Sequence, residues 1–348
     1  MKHFAILGAG MAGITAARTL VQAGHRVSVY EQAAQVGGRM ATQDTPWGSF
    51  DIGAQYFTVR DARFSLALQT VPGTSDCVRP WSANAVRVLD PLGHVLEAAR
   101  PTREAHFVAT PGMSALVEHW SAPLRAMGAV HLGARVERMA RDRLDPTRWQ
   151  LHLQGEQAAV VGGFDAVLLA LPHAQATQLL RLSGADTAAT GLIDRLQGVE
   201  VAPCWTLMVA FPQASQPTLA YLGPQWNVAR STHHRIAWLA RESSKPRRSS
   251  VERWTVQASP EWSLEHVQDD PARAEAKLLK AFAELTGIRA QPAQVLSHRW
   301  GQAKTLHALG SPYVYLPEHG VGTCGDWHLG HRVEDAFISG LSLALAAH

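Results

Sequence analysis

Gly8-x-Gly10-x-x-Gly13, followed by Glu31, has the residue types and spacing to hold an adenine dinucleotide. Gly8 permits a tight turn, Gly10 lets backbone approach a pyrophosphate, and Gly13 lets a helix pack against a strand. The acid accepts hydrogen bonds from ribose hydroxyls. Further on, Gly37-Gly38-Arg39 can place backbone amides and a guanidinium beside a diphosphate. In Phe50 to Thr58, FDIGAQYFT, Gly53 suggests close backbone approach, while Gln55 and Tyr56 supply polar tips. The chemistry these residues suit is that of a nucleotide cofactor.

The elements that must position them are readable around the glycines. His3 to Leu7 is a short apolar run suited to a buried parallel strand. An apolar-periodic helix follows through Leu20 and stops near Gly24, and a second strand, Arg26 to Tyr30, delivers Glu31. The helix N-terminus offers free N–H groups to phosphate charge. Later, Val86 to Leu96 reads as a hairpin turning at Pro91-Leu92-Gly93, and Pro111 to Trp120 opens a helix. His131 to Met139, Trp149 to Leu153, Ala158 to Val161 and Ala166 to Leu171 read as strands. Leu196 to Phe211 and Arg235 to Val256 look like longer antiparallel strands, and Asp270 to Thr286 is an amphipathic helix.

Composition narrows the class. At 348 residues, with 46% hydrophobic and 18% charged residues, the chain reads as a soluble enzyme with a large core. A net charge of +3 calls for neither nucleic acid nor an anionic membrane. Cys77, Cys204 and Cys324 are widely spaced, form no CxxC pair and fit a reducing compartment, so the cytoplasm is expected. The seventeen histidines show no ligand spacing, His233 and His234 would point to opposite faces of one strand, and no metal is expected. Eleven Trp against five Tyr either fill core or line a pocket for a planar ligand. Ser244 to Ser250, SKPRRSS, reads as a solvated loop; the alternative is a mouth loop whose Lys245, Arg247 and Arg248 attract a phosphate-bearing substrate.

GAGMAG, YEQ…GGRMAT and FDIGAQYFT together resemble the flavin-containing amine oxidase superfamily, and within it the bacterial renalase-like branch. Supporting segments are FVATPGMSALVEHW, LLALPHAQATQLL, IAWLARESSKPRR, HRW at His298 to Trp300, and CGDWHLGHRVEDAFISG at Cys324 to Gly340. The resemblance implies an α/β fold: a Rossmann-type FAD-binding domain with a parallel sheet, interrupted by a smaller antiparallel-sheet substrate domain of α+β character. This is a p-hydroxybenzoate hydroxylase-like architecture. The expected division is 1–75, 107–180 and 291–348 for the FAD-binding domain, and 76–106 and 181–290 for the substrate domain. The resemblance implies cofactor contacts from Gly8, Ala9, Gly10, Met11, Ala12, Gly13, Glu31, Gln32, Gly38, Arg39, Met40, Gln55, Tyr56 and Val136. It adds Gly325, Asp326, Arg332 and Val333 from the C-terminal end, where Asp326 would accept a ribityl hydroxyl. Gly320-x-Gly322-x-x-Gly325 repeats the fingerprint without room for a second βαβ unit, so it reads as the strand Val321 to Cys324 feeding that contact. The helix Arg332 to Leu345 would then aim its N-terminus at the flavin. The covalent amine oxidases of the resembled superfamily carry a cysteine upstream of the final Gly-Asp motif, and none lies between Trp300 and Gly322, so the resemblance implies a noncovalent FAD.

The renalase-like branch implies an oxidase that takes hydride from 2- or 6-dihydronicotinamide, an isomeric NAD(P)H, onto flavin N5. The donor would leave as NAD(P)+, and oxygen would then reoxidise the flavin, giving H2O2. Gln55 and Tyr56 are expected beside the flavin, and Trp238, Arg241 and Trp300 facing the donor, each with ordinary packing as the alternative. Trp327 and His328 are further flavin neighbours to test. Two other readings stand: an amine or polyamine oxidase, with Lys304 near N5, and a non-catalytic nucleotide-fold binding protein. The expected partners are a small-molecule donor and O2, with no nucleic acid and no membrane.

Overall fold

A computed structural model describes residues 1–81, 86–97, 104–154, 159–188, 190–215, 224 and 226–348. The opening apolar run forms strand β1 (His3–Leu7), the glycine-led segment forms helix α1 (Met11–Gln22), and β2 (Arg26–Glu31) follows. Alternate residues of β1 serve two cores: Phe4 and Ile6 face α1, whereas Ala5 and Leu7 face the other side of the sheet. Burial on both faces is why the run is continuously apolar.

β1 and β2 sit in a six-stranded sheet ordered Val314–Leu316, Val321–Thr323, Ala166–Leu169, β1, β2, Val130–Leu132. All its pairings are parallel except that of the edge strand Val314–Leu316. A three-stranded antiparallel sheet, Val136–Arg141, Trp149–Leu153 and Val160–Phe164, covers one face. The expected strand from His131 to Met139 is thus two strands in two sheets, parted at Gly133, whose φ of +66° turns the chain. In the third expected strand, Ala158 lies outside the described residues.

The seven-stranded sheet is ordered Gln294–His307, Glu200–Phe211, Glu252–Ala258, Ile236–Arg241, Val228–Ser231, Arg87–Leu89, Val95–Glu97. The hairpin around Pro91 supplies its last two strands. The expected run from Arg235 to Val256 is two strands, broken by a turn at Glu242–Ser244 and the SKPRRSS segment. Gln294–His307 falls in the stretch 291–348, yet it pairs along Glu200–Phe211 in this sheet. One face, with Trp205, Leu207, Val209, Trp254 and Val256, packs on the helix Pro271–Thr286. Asp270 caps that helix by accepting from Ala272 N–H at 2.9 Å. The other face looks toward the parallel sheet, and the space between them is the site.

Candidate active site

A cavity of about 2110 Å3 runs from the glycine motif to the seven-stranded sheet. It exceeds the roughly 300–1,000 Å3 of ordinary ligand pockets, enough for a dinucleotide and a second ligand together. At its nucleotide end Gly8 has φ +104°, and a Cβ there would meet Ala170 O at 2.5 Å. α1 begins at Gly10 with no side-chain cap, so its first amides are free for an anion. Glu31 accepts from Ala9 N–H and Ala33 N–H, both at 2.8 Å, which fixes the carboxylate while leaving acceptor capacity for ribose hydroxyls.

Arg39 and Asp326 join the N-terminal motif to the C-terminal one: Arg39 Nη2 donates to Asp326 Oδ1 at 2.5 Å. Burial pushes the Asp326 carboxyl above its ordinary range, against the opposing pull of Arg39. Arg39 Nη1 is buried with no partner among the described residues. A buried, unsatisfied guanidinium N–H beside an uncapped helix N-terminus fits the diphosphate of an FAD. Gly8, Gly10, Met11, Ala12, Glu31, Gln32, Gly38, Arg39, Met40, Val136, Gly325, Asp326, Arg332 and Val333 all line the cavity, as expected from the sequence. Ala9 and Gly13 do not; Ala9 gives its amide to Glu31, and Gly13 packs so tightly that a Cβ would lie 2.0 Å from Gly8 O.

At the other end, strand register builds one wall. Arg230 pairs with Trp238, Trp238 with Gln257, Gln257 with Thr206, and Thr206 with His298, each opposite the next. Directly opposed residues share a sheet face, so this row presents its side chains together. Arg230, Trp238, Gln257 and His298 line the cavity, with Trp300 and Lys304 further along the last strand. Tyr56 stacks on Trp238 at 5.7 Å and 24°, and the buried His106 ring lies 4.3 Å from Tyr56. Trp300 Nε1 donates to Ile52 O at 2.8 Å, which fixes its ring near Gly53. Gln55 lines the cavity with its amide already engaged: Nε2 donates to Asp51 O and Gly53 O, and Oε1 accepts from Lys245 at 3.1 Å.

Four expectations are corrected. Arg241 does not line the cavity. It is opposite Trp254 on the helix-covered face, bridging to Glu252 at 3.0 Å and lying over the Trp254 ring. On these neighbouring strands the arginine that faces the cavity is Arg230, which sequence reading missed because only register distinguishes the two. Trp327 and His328 are core: Trp327 donates to Leu171 O, and His328 bonds Ser311 O and Thr323, burial pushing its imidazole down to about 4. SKPRRSS is a loop with Arg247, Ser249 and Ser250 exposed, but it does not line the cavity mouth, and Lys245 and Arg248 are buried against Asp51 and Glu242. Burial raises the Asp51 carboxyl, but Lys245 and Arg248 outweigh it and hold the group below its usual range. His233 and His234 lie in a turn with rings stacked at 4.5 Å, not on opposite strand faces.

Among the described residues no three His, Cys, Asp or Glu side chains gather to hold a metal, and no helix is long and apolar enough to cross a membrane. Cys204 lines the cavity with its thiol pushed up to about 11 by burial.

Comparison with known proteins agrees with this geometry. Residues 6–67 match the model of the NAD(P)-binding Rossmann-like domain, and residues 92–346 that of flavin containing amine oxidoreductase. A 4,4'-diaponeurosporene oxygenase of Staphylococcus aureus is 36% identical over 58 residues, 17% of this chain and 12% of that protein. Three solved structures each align over 99% of this chain and 98% of theirs. A protein of Exiguobacterium sp. 255-15 assigned as a protoporphyrinogen oxidase has TM-score 0.76 at 13% identity. Cyclohexylamine oxidase of Brevibacterium oxydans IH-35A has 0.70 at 14%, and putrescine oxidase bound to putrescine 0.69 at 12%. At such identities the likeness is one of fold.

Proposed function

This chain belongs to the flavin containing amine oxidoreductase family and is a FAD-dependent oxidoreductase, and from that premise we propose that its hydride donor is a 2- or 6-dihydronicotinamide nucleotide. A bound flavin would supply a hydride acceptor, the donor leaving as NAD(P)+, and would pass the two electrons with protons to O2, giving H2O2. The FAD is held noncovalently, by Glu31, Arg39, Asp326 and the N-terminus of α1. Cys77, Cys204 and Cys324 are unpaired, which supports a reducing, cytoplasmic setting.

The observation that carries the donor assignment is the charge of the wall facing the cofactor. The seven-stranded sheet contributes Arg230, Lys304, Trp238, Trp300, Gln257 and His298 to the cavity and, among the described residues, no carboxylate. The carboxylates of the lining, Glu31, Asp44, Glu137 and Asp326, come from the nucleotide-binding segments. Two cations repel a protonated polyamine and attract a phosphate-bearing donor. Tyr56 and Trp238 offer a near-parallel aromatic pair beside which a planar dihydropyridine can lie. Loss of hydride makes that ring aromatic, so no strong base is required of the wall. His298, whose pKa burial lowers, is then a neutral hydrogen-bonding group.

A second reading, an amine oxidase, is favoured by the same Tyr56–Trp238 pair receiving a neutral amine and by Lys304 at the cavity. Anaerobic flavin bleaching separates them. The yellow protein is mixed with borohydride-reduced NAD, which contains the 2-, 4- and 6-dihydro isomers, with pure 4-dihydro NADH, and with an amine panel. Rapid bleaching by the isomer mixture alone is expected. Bleaching by amines alone would replace the dihydronicotinamide reading, and a protein that takes up no FAD would favour a non-catalytic binding role.

A further inference from the structure

We propose that Arg230 and Trp238 form an acceptor subsite for the donor, with Arg230 binding the phosphate of a dihydropyridine nucleotide. The inference rests on the dihydronicotinamide reading and adds the residues that select its phosphorylated form. Arg230 and Trp238 are directly opposed on adjacent antiparallel strands, so their side chains rise from the same face about one strand spacing, roughly 5 Å, apart. Trp238 belongs to the aromatic stack with Tyr56, which places Arg230 beside the position of a ring lying there. The Arg230 side chain is exposed at the cavity, and no hydrogen bond or ion pair engages it among the described residues. It therefore keeps the planar fork with which guanidinium binds phosphate bidentately.

One further observation points to an acceptor-bearing ligand. Trp238 Nε1 is buried with no partner among the described residues. An indole N–H only donates, so it needs a ligand carbonyl such as a carboxamide oxygen, and an ammonium cannot satisfy it.

The test uses calorimetric titration of the holoenzyme with nicotinamide riboside and nicotinamide mononucleotide. Both carry the same pyridinium ring and differ by one phosphate. The wild type is expected to prefer the mononucleotide by about tenfold or more. In Arg230→Ala that ratio should fall to near one, and Arg230→Lys should keep an intermediate preference, having the charge without the fork. A preference that survives in Arg230→Ala, or is absent from the wild type, overturns the subsite. So does accelerated loss of FAD from the Arg230→Ala holoenzyme, which would place the arginine on the cofactor. Parallel anaerobic reduction separates the two levels of failure. If dihydronicotinamide riboside and mononucleotide reduce the flavin equally well, the donor class stands and the Arg230 subsite falls. If neither reduces it, both fall.

Discussion

Lys245 Nζ stands within reach of three acceptors: Asp51 Oδ2 and Glu242 Oε1 at 2.8 Å, and Gln55 Oε1 at 3.1 Å. Arg248 closes the group at 2.7 Å from Asp51. Two carboxylates and two cations balance in a space where no side chain of the four is more than 1% exposed. Desolvating each ion costs several kcal/mol, so the cluster is tolerable only while all partners are present. Lys245→Met should lower unfolding stability by about 3–5 kcal/mol, because Asp51 and Glu242 then share one cation. Adding Glu242→Gln restores the balance of one acid and one base, and should recover part of that loss in a double-mutant cycle. Denaturant titration measures both; a cost below about 1 kcal/mol would mean that water reaches the group. The same ammonium pins the Gln55 amide at the cavity, so this cluster also fixes the shape of the cavity wall there.

The helix Val333–Ala347 lies against α1 at a place where only glycine fits. A Cβ on Gly340 would meet Ala12 O at 2.1 Å and Ala12 C at 2.8 Å, and backbone cannot swing aside as a side chain can. Arg332 and Val333 at that helix's start, and Met11 and Ala12 on α1, all line the cavity. Gly340→Ala should therefore cost about 1–3 kcal/mol and weaken FAD binding together, read as Tm and as FAD dissociation constant. Leu345→Ala, on the exposed face of the same helix, should change stability by less than about 0.5 kcal/mol. If Gly340→Ala destabilised without touching FAD affinity, the helix would not position the site. What was legible in the sequence follows the same division. The glycine motif, Glu31, Arg39 and Asp326 were readable because turn, helix start and acid are encoded within short stretches. Arg230 was not, since its choice over Arg241 depends on which face a strand turns to the cavity. SKPRRSS misled for a related reason: its composition is that of a loop, and its partner Asp51 lies 194 residues away.

The cavity is walled by residues from both ends of the chain and from strands of the middle, so it is a joint between two sheets. Two buried polar groups face that joint unpaired: Arg39 Nη1 at one end and Trp238 Nε1 at the other have no partner within the described protein. A group that binds only the native state stabilises it by about 2.7 kcal/mol at a hundred times its dissociation constant. Stripping the FAD should accordingly lower Tm by roughly 4 °C. Added FAD should restore it in proportion to the logarithm of its concentration. Acid precipitation of the holoprotein should leave yellow flavin in the supernatant. A yellow pellet would mean a covalent bond, with Cys204, the thiol in the cavity lining, the first residue to examine. A Tm indifferent to FAD, with the flavin released freely, would instead show that the cofactor enters a space already formed by the protein's own contacts.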